Sequence, residues 1–293
     1  AIKVGATLVL EKSFAFPAAE FEVMARERVT AFPLVPTIAA LLLQQSELPP
    51  AAFAHLRYMT NAAAPLPAAH VARLRELLPA VDFYSMYGQT ECTRATYLPP
   101  AEIDSRPGSV GIAIPGSRAW VVDSQGHHAP PGATGELVIR GPNVMQGYWQ
   151  NPLASARAVR PDRDTGQPVL FTGDLFYADE DGFLYFVSRR DDIIKTRGEK
   201  VAPREVETAL HAIPGVAEAV VLGVPDAVLG QAIKAIVVRS DPALTEQQVL
   251  RACARTLEDF MVPKSVEFRT SLPKTESGKV SRRLVRQSLE PVV

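Results

Sequence analysis

The sequence predicts an α/β protein: part of a parallel α/β lobe plus a small antiparallel β subdomain, followed by a small α+β C-terminal domain. Three observations predict it. The first hundred residues alternate short apolar strands with helical stretches, the order that builds a parallel sheet. Between residues 108 and 187 the strands are punctuated by Gly, Pro and Asp, as in antiparallel β structure. After the charged run Arg189-Arg190-Asp191-Asp192 the order becomes helix, strand, strand, helix and a basic tail, which reads as a separate domain joined by a charged linker.

Taken in order, strands are expected over residues 7–10, 29–34, 56–60 and 81–85, and helices over 17–28, 36–45 and 67–78. The β subdomain is expected to use strands 118–122, 135–139, 175–178 and 183–187. The last domain follows with helix 203–211, strands 217–224 and 232–238, and helix 245–259. The expected domains are therefore residues 1–190, made of an α/β lobe (1–105) and a β subdomain (106–190), and residues 191–293. There are no internal repeats, and Pro49-Pro50, Pro99-Pro100 and Pro130-Pro131 read as loop punctuation.

The 293 residues, 47% hydrophobic and 22% charged, are too many for one typical domain. Thirty-one Lys+Arg against 32 Asp+Glu leave a formal net charge of -1, so no global field recruits nucleic acid, and any anion site is local. Cys92 and Cys253 are the only cysteines, with no CxxC spacing, which suggests neither a disulfide framework nor zinc and fits a cytoplasmic setting. Apolar runs such as residues 38–43 fall short of the roughly 20 residues of a membrane span. No signal-type leader opens the chain, and Val4-Gly5-Ala6-Thr7-Leu8-Val9-Leu10 resembles an internal strand. Residue 1 is accordingly read as a truncation point.

The sharpest chemical signal is Tyr84-Ser85-Met86-Tyr87-Gly88-Gln89-Thr90-Glu91, after an expected strand. The C-terminal end of a parallel strand is where α/β sheets bind ligands. An aromatic face, a glycine backbone, a hydroxyl and a hard carboxylate suit a nucleoside triphosphate with magnesium; a tight turn ending in a helix-capping Thr is the plainer alternative. Leu170-Phe171-Thr172-Gly173-Asp174-Leu175 sets a carboxylate on a glycine turn, suited to both hydroxyls of a ribose or simply to a hairpin with a solvated Asp. Two further segments are Gly182 through Gly198, which contains Arg189, Asp191 and Lys195, and Leu272-Pro273-Lys274-Thr275-Glu276-Ser277-Gly278-Lys279-Val280.

These four segments, in this order, resemble the adenylate-forming superfamily of acyl-CoA synthetases, luciferases and peptide-synthetase adenylation domains, and the resemblance runs through nearly the whole chain. Gly135-Glu136-Leu137-Val138-Ile139-Arg140-Gly141, Gly147-Tyr148-Trp149 and Gly198-Glu199-Lys200-Val201-Ala202-Pro203-Arg204-Glu205-Val206-Glu207 support it. In that family ATP and a carboxylic acid give an acyl adenylate, and a thiol of CoA or of a phosphopantetheine-bearing carrier protein then takes the acyl group.

The resemblance implies ATP and Mg2+ as cofactors and assigns roles by position. Tyr87, with Gly88 and Gln89, would contact the adenine nucleotide; Thr90 would bond the α-phosphate, Glu91 would hold the metal, and Asp174 and Arg189 would grip the ribose. Lys279 would bridge the attacking carboxylate and the phosphate. A cation suits that place, because two unit charges in contact repel by about 4 kcal/mol at an effective dielectric of 20. Asp191 matches the hinge about which the family's mobile small domain turns. Lys195 and Gly198 fall in the loop that faces the site during thiol transfer.

Departures count as well. The family's Ser/Thr/Gly-rich phosphate loop ending in Pro-Lys-Gly does not occur in the chain, so these residues are expected to adenylate poorly unless an N-terminal lobe is supplied separately. Asn61-Ala62-Ala63-Ala64-Pro65-Leu66 carries alanines where many relatives have glycines, and Ser188 replaces a common Gly. Arg94 is the speculative choice for pairing with a second carboxylate on the substrate, against an ordinary exposed Arg. His55, His70, His127, His128, His211 and Cys92 are set aside. Three functions compete: an acid–thiol ligase, an amino-acid adenylation domain of a peptide synthetase, and half of a split enzyme or a non-catalytic interaction subunit.

Overall fold

The computed structural model describes residues 2–11, 14, 16–45, 47–62, 66–275 and 279–289. Two compact units emerge, one of Ala1–Gly88 with Thr96–Gly111, the other of Gln89–Ala95 with Ile112–Val293. The chain is mixed α/β. No helix among the described residues is long and apolar enough to cross a membrane.

The first unit alternates α1 (Pro17–Arg26), β1 (Ala31–Leu34), α2 (Pro36–Leu43), α3 (Pro50–Phe53), β2 (Tyr58–Asn61), α4 (Ala68–Leu77) and β3 (Asp82–Gln89). Helices α1, α2 and α3 open on proline, whose fixed φ suits the first helical position and whose missing N–H is not needed there. Strands β1, β2 and β3 pair in parallel, Ala31 opposite Tyr58 and Tyr58 opposite Asp82, so each connection must cross over through a helix. Leu34, Leu42, Met59, Leu74 and Phe83 are buried within it.

Two local expectations are corrected here. Residues 7–10 form no strand and are exposed; the apolar run has no ladder partner among the described residues, and a strand persists only when its N–H and C=O groups are paired. The motif at 84–91 does not follow a strand, since β3 runs through it to Gln89 and Thr90 and Glu91 turn into β4 (Cys92–Tyr97). Of the segment 61–66, Ala63, Ala64 and Pro65 lie outside the described residues.

After β5 (Ser109–Ala113), the second unit holds β6 (Arg118–Val122), β7 (Gly135–Arg140), α5 (Pro152–Ala158), β8 (Val159–Pro161), β9 (Pro168–Ala178) and β10 (Leu184–Arg189). The ladder runs β6, β7, β9, β10 with every pair antiparallel. Between β7 and β9 the register breaks: Glu136 faces Leu175 and Val138 faces Phe171. Thr172, Gly173 and Asp174 therefore oppose the single residue Leu137, a bulge that re-aims their side chains.

The rest of the chain forms β11 (Ile194–Thr196), β12 (Glu199–Val201), α6 (Pro203–His211), β13 (Val216–Asp226), β14 (Gly230–Arg239), α7 (Glu246–Thr256), β15 (Ser265–Arg269) and α8 (Arg282–Gln287). The sheet order is β12-β11-β14-β13, with β15 parallel to β14. Side chains alternate across it. Val221, Ile233 and Ala235 pack with Val206 and Leu210 of α6 and Val249 and Cys253 of α7, while Val220, Leu222 and Ile236 pack with Leu272 and with Val285 of α8. The expected basic tail is thus β15 and a helix covering the second face; its apolar Val285 is masked in the sequence by Arg282, Arg283 and Arg286.

Candidate functional site

The site grows from the bulge in β9. Thr172 Oγ1 donates to the Leu137 carbonyl at 2.8 Å, and Gly173 N–H donates to Glu136 Oε1 at 2.9 Å. Gly173 takes φ +72°, a conformation open to glycine at no steric cost. Asp174 follows, its residue only 3% exposed. Gln89 Nε2 donates to its Oδ2 at 2.7 Å and to the Thr172 carbonyl at 3.0 Å.

Arg189 stands directly opposite Asp174 in the β9–β10 ladder, and its Nε donates to Asp174 Oδ1 at 3.1 Å. The two partners differ in exposure: the carboxylate is 5% exposed, the guanidinium side chain 61%. A fixed acceptor thus stands beside a cation free to meet a ligand. Glu136 braces the pair from behind by also accepting from Arg190 Nη1 at 2.8 Å.

A cleft of roughly 200 Å³ opens here, lined by Gln89, Glu91, Tyr148, Leu170, Phe171, Thr172, Gly173, Arg189 and Asp191, all in the second unit. Glu91 enters from the turn after β3. Met145 N–H donates to its carbonyl at 2.8 Å, and Cys92 bridges to Val144, so the 141–147 stretch serves to hold this turn. Tyr148 donates its hydroxyl to Glu91 Oε1 at 2.8 Å, a bond that raises the tyrosine's pKa. Thr90 is exposed on the same turn. Burial pushes the neighbouring Cys92 thiol up to about 11, which removes it as a nucleophile.

No group of three or more His, Cys, Asp or Glu among the described residues could hold a metal ion. The hard carboxylate of Glu91 fits a magnesium ion that takes its other ligands from phosphates and water.

Lys279 reaches the same region from the C-terminal tail. Lys274 and Val280 bridge antiparallel, and Thr275 N–H donates to the Lys279 carbonyl at 2.8 Å; Glu276, Ser277 and Gly278 lie outside the described residues. The residue as a whole is exposed, yet crowding around the ammonium lowers its pKa, helped by the Arg189 and Arg282 charges and opposed by Asp174. Lys279 therefore sits within electrostatic reach of the Asp174–Arg189 pair.

The remaining expected residues are placed as follows. Asp191 sits in a single 3-10 turn, Arg190–Asp192, at the cleft's edge. Lys195 and Gly198 belong to the β11–β12 hairpin, where Arg197 (φ +54°) and Gly198 (φ +85°) form the two-residue turn. Tyr87 and Gly88 end the first unit on β3, and Tyr87 is buried.

Arg94 is exposed with φ +49°. Ser188 is buried and donates to the Arg189 carbonyl at 3.1 Å. His128 stacks on Trp120 with ring centroids 5.6 Å apart.

Sequence reasoning missed the bracing roles of Glu136, Tyr148 and Arg190. Glu136 and Tyr148 were in view as parts of matching segments, but neither segment says which partner each would meet.

The comparisons with known proteins place this fold and cleft in a family. The AMP-binding enzyme family matches residues 1–149 and the AMP-binding enzyme C-terminal domain matches residues 205–279. The chain belongs to this family. It is 42% identical to a long-chain-fatty-acid–CoA ligase of Escherichia coli O6:H1 over 200 residues, 68% of this chain and 35% of that protein. It is 36% identical to a long-chain-fatty-acid–CoA ligase of Bacillus subtilis over 284 residues, 96% of this chain and 49% of that one.

Among solved structures, ATP-bound MatB from Rhodopseudomonas palustris superimposes with a TM-score of 0.85 at 34% identity, covering 94% of this chain and 54% of its own. The o-succinylbenzoate CoA synthetase MenE from Bacillus subtilis, in complex with its acyl-adenylate intermediate, gives 0.83 at 29% identity, covering 97% and 56%. The chain spans about half the length of the proteins it matches, or less.

Proposed function

We propose that this chain is the C-terminal portion of an AMP-forming acid–thiol ligase, which activates a carboxylic acid with ATP and passes the acyl group to CoA or a carrier-protein thiol. One observation carries the reading: the buried carboxylate of Asp174, fixed by Gln89 and Arg189 on a bulged strand beside the cleft that Glu91 and Arg189 line. CoA ligases among the relatives favour CoA and an acyl substrate over an amino acid.

In the first step a carboxylate oxygen attacks the α-phosphorus, the new O–P bond forms, and pyrophosphate leaves with the bonding pair. Asp174 accepts from the ribose hydroxyls while Arg189 donates beside it, Tyr87 stacks on the adenine, and Gly88 and Gln89 contact the nucleotide. Thr90 donates to the α-phosphate. Lys279 sits between the two approaching anions, where its charge offsets their repulsion. Magnesium, when bound at Glu91, would neutralise phosphate charge, and Tyr148 orients that carboxylate.

In the second step a thiol adds to the acyl carbonyl, AMP leaves with its bonding pair, and the thiol proton is released. Residues 1–190 act as the remainder of the large domain and 191–293 as the mobile one, turning at Asp191 and presenting Lys195 and Gly198 to the thiol's path. The pyrophosphate end of ATP needs a phosphate loop from an N-terminal lobe.

The test is acid-dependent ATP–pyrophosphate exchange over fatty, aryl, dicarboxylic and amino acids, on this chain and on a form that also carries the N-terminal half found in its relatives. The expected result is exchange in the longer form, lost with Lys279→Ala. Silence in both forms with folded protein overturns the reading.

A further inference from the structure

Arg282 opens α8, three residues after Lys279. Its Nη2 donates to both oxygens of Glu207, at 2.6 and 2.5 Å, and its Nη1 lies 3.6 Å from Asp192 Oδ2. Glu207, on α6, also accepts from the Val221 N–H at 2.9 Å. The carboxylate's side chain is 14% exposed and the arginine's 31%. Burial pushes Glu207 up in pKa and the Arg282 charge opposes it. One guanidinium thus ties together α6, the turn after β10 and the start of the tail helix.

The other strand of the lysine hairpin is pinned as well, because Lys274 Nζ donates to Glu218 Oε1 at 2.6 Å. Val285 fixes the far end of the tail by packing beneath it on Val220, Leu222 and Ile236. Lys279 lies between these anchors, three residues before Arg282. A planar guanidinium suits that task, since it aims Nη2 at Glu207 and Nη1 at Asp192 from one plane, whereas a lysine supplies a point charge alone.

We infer that Arg282 is a positioning residue: its Nη2 on both oxygens of Glu207 and its Nη1 toward Asp192 set where Lys279 lies relative to Asp174 and Arg189. This rests on the reading of Lys279 given above.

The test uses the 293-residue chain with Arg282→Ala and Arg282→Lys. Lysines are reductively methylated with a carbon-13 label, the Lys279 resonance is assigned with Lys279→Arg, and its titration is followed beside backbone hydrogen exchange. Among the described residues, the charged groups acting on that ammonium are Arg189, Asp174 and Arg282.

In Arg282→Ala the Lys279 titration is expected to move up toward the ordinary lysine range. Amides at 190–192 and 279–281 should exchange roughly tenfold faster, the scale of one lost charged hydrogen bond, while β13 and β14 keep their rates. Arg282→Lys retains the charge without the planar guanidinium and should show the faster local exchange too, which keeps the test open if the alanine variant fails to fold. Parent-like titration and exchange in the variants would overturn the inference, and so would faster exchange spread through β13 and β14. Failure of Lys279→Ala to abolish pyrophosphate exchange would instead remove the functional reading, so the two failures are separable.

Discussion

Exchanging Asp174 for Asn keeps the shape of the buried carboxylate and removes its charge and one acceptor. At present Oδ2 accepts from Gln89 Nε2 at 2.7 Å and Oδ1 from Arg189 Nε at 3.1 Å. An asparagine offers one oxygen, so its NH2 must face one of these donors. Flipping the Gln89 amide does not repair this, because its Nε2 also donates to the Thr172 carbonyl at 3.0 Å, and the flip would set two oxygens together. The substitution should destabilise the fold by about 1–3 kcal/mol, the range for a buried polar group left without its partner. If Asp174 also accepts from a ribose, losing a charged acceptor removes about 2 kcal/mol of binding, roughly 30-fold in affinity. AMP is the probe, since it needs no cradle for pyrophosphate, and calorimetric titration beside thermal melting separates the two effects. Affinity within threefold of the parent in a folded variant would refute the ribose role, and a parent chain blind to AMP would refute the site.

Three further outcomes are expected. Gly173→Ala meets open space around the added Cβ, so only the φ +72° backbone is penalised; the loss should be about 1–2 kcal/mol by thermal unfolding, and a loss above about 3 kcal/mol would mean the bulge does not have this geometry. Glu207→Ala leaves Arg282 and the Val221 N–H without their acceptor, and urea denaturation should show a loss of about 3–5 kcal/mol; under about 1 kcal/mol would contradict a fully formed pair. Asp226 is held down to about 2, first by the Lys264 ammonium at 2.6 Å and then by the N–H groups of Leu229 and Val228. Its folded form binds a proton less readily than the unfolded chain, so its contribution is present above the usual aspartate range near 4 and lost as pH falls toward 2. Asp226→Asn should flatten the acid side of the stability profile, and an unchanged slope would contradict this.

Much of the site was legible because it lies in short segments whose chemistry is local. Thr172-Gly173-Asp174, the Gln89-Thr90-Glu91 run and the glycine before Lys279 each also read as an ordinary turn, and it is their order along the chain that marks them. What could not be read was which of them meet. Gln89 and Asp174 are 85 residues apart, and Glu207 and Arg282 are 75 apart; such contacts arise from strand register and helix docking, not from any pattern along the chain. The 7–10 run shows the opposite error, a strand-like composition with no described strand to pair with.

The sequence by itself determined the alternation of elements, the helix at residues 203–211, the strand at 118–122 and the membership of the adenylate-forming family. Those rest on periodicity and on ordered motifs, which each stretch of chain carries alone. Only the tertiary structure decided the bulge that sets three residues of β9 against one of β7, the bracing of Asp174, and the clamp on the lysine hairpin. Their physical cause is long-range registry: burying Val285 beneath β13 and β14 fixes where the tail lies, and the charged groups then pair with whatever that packing brings within reach.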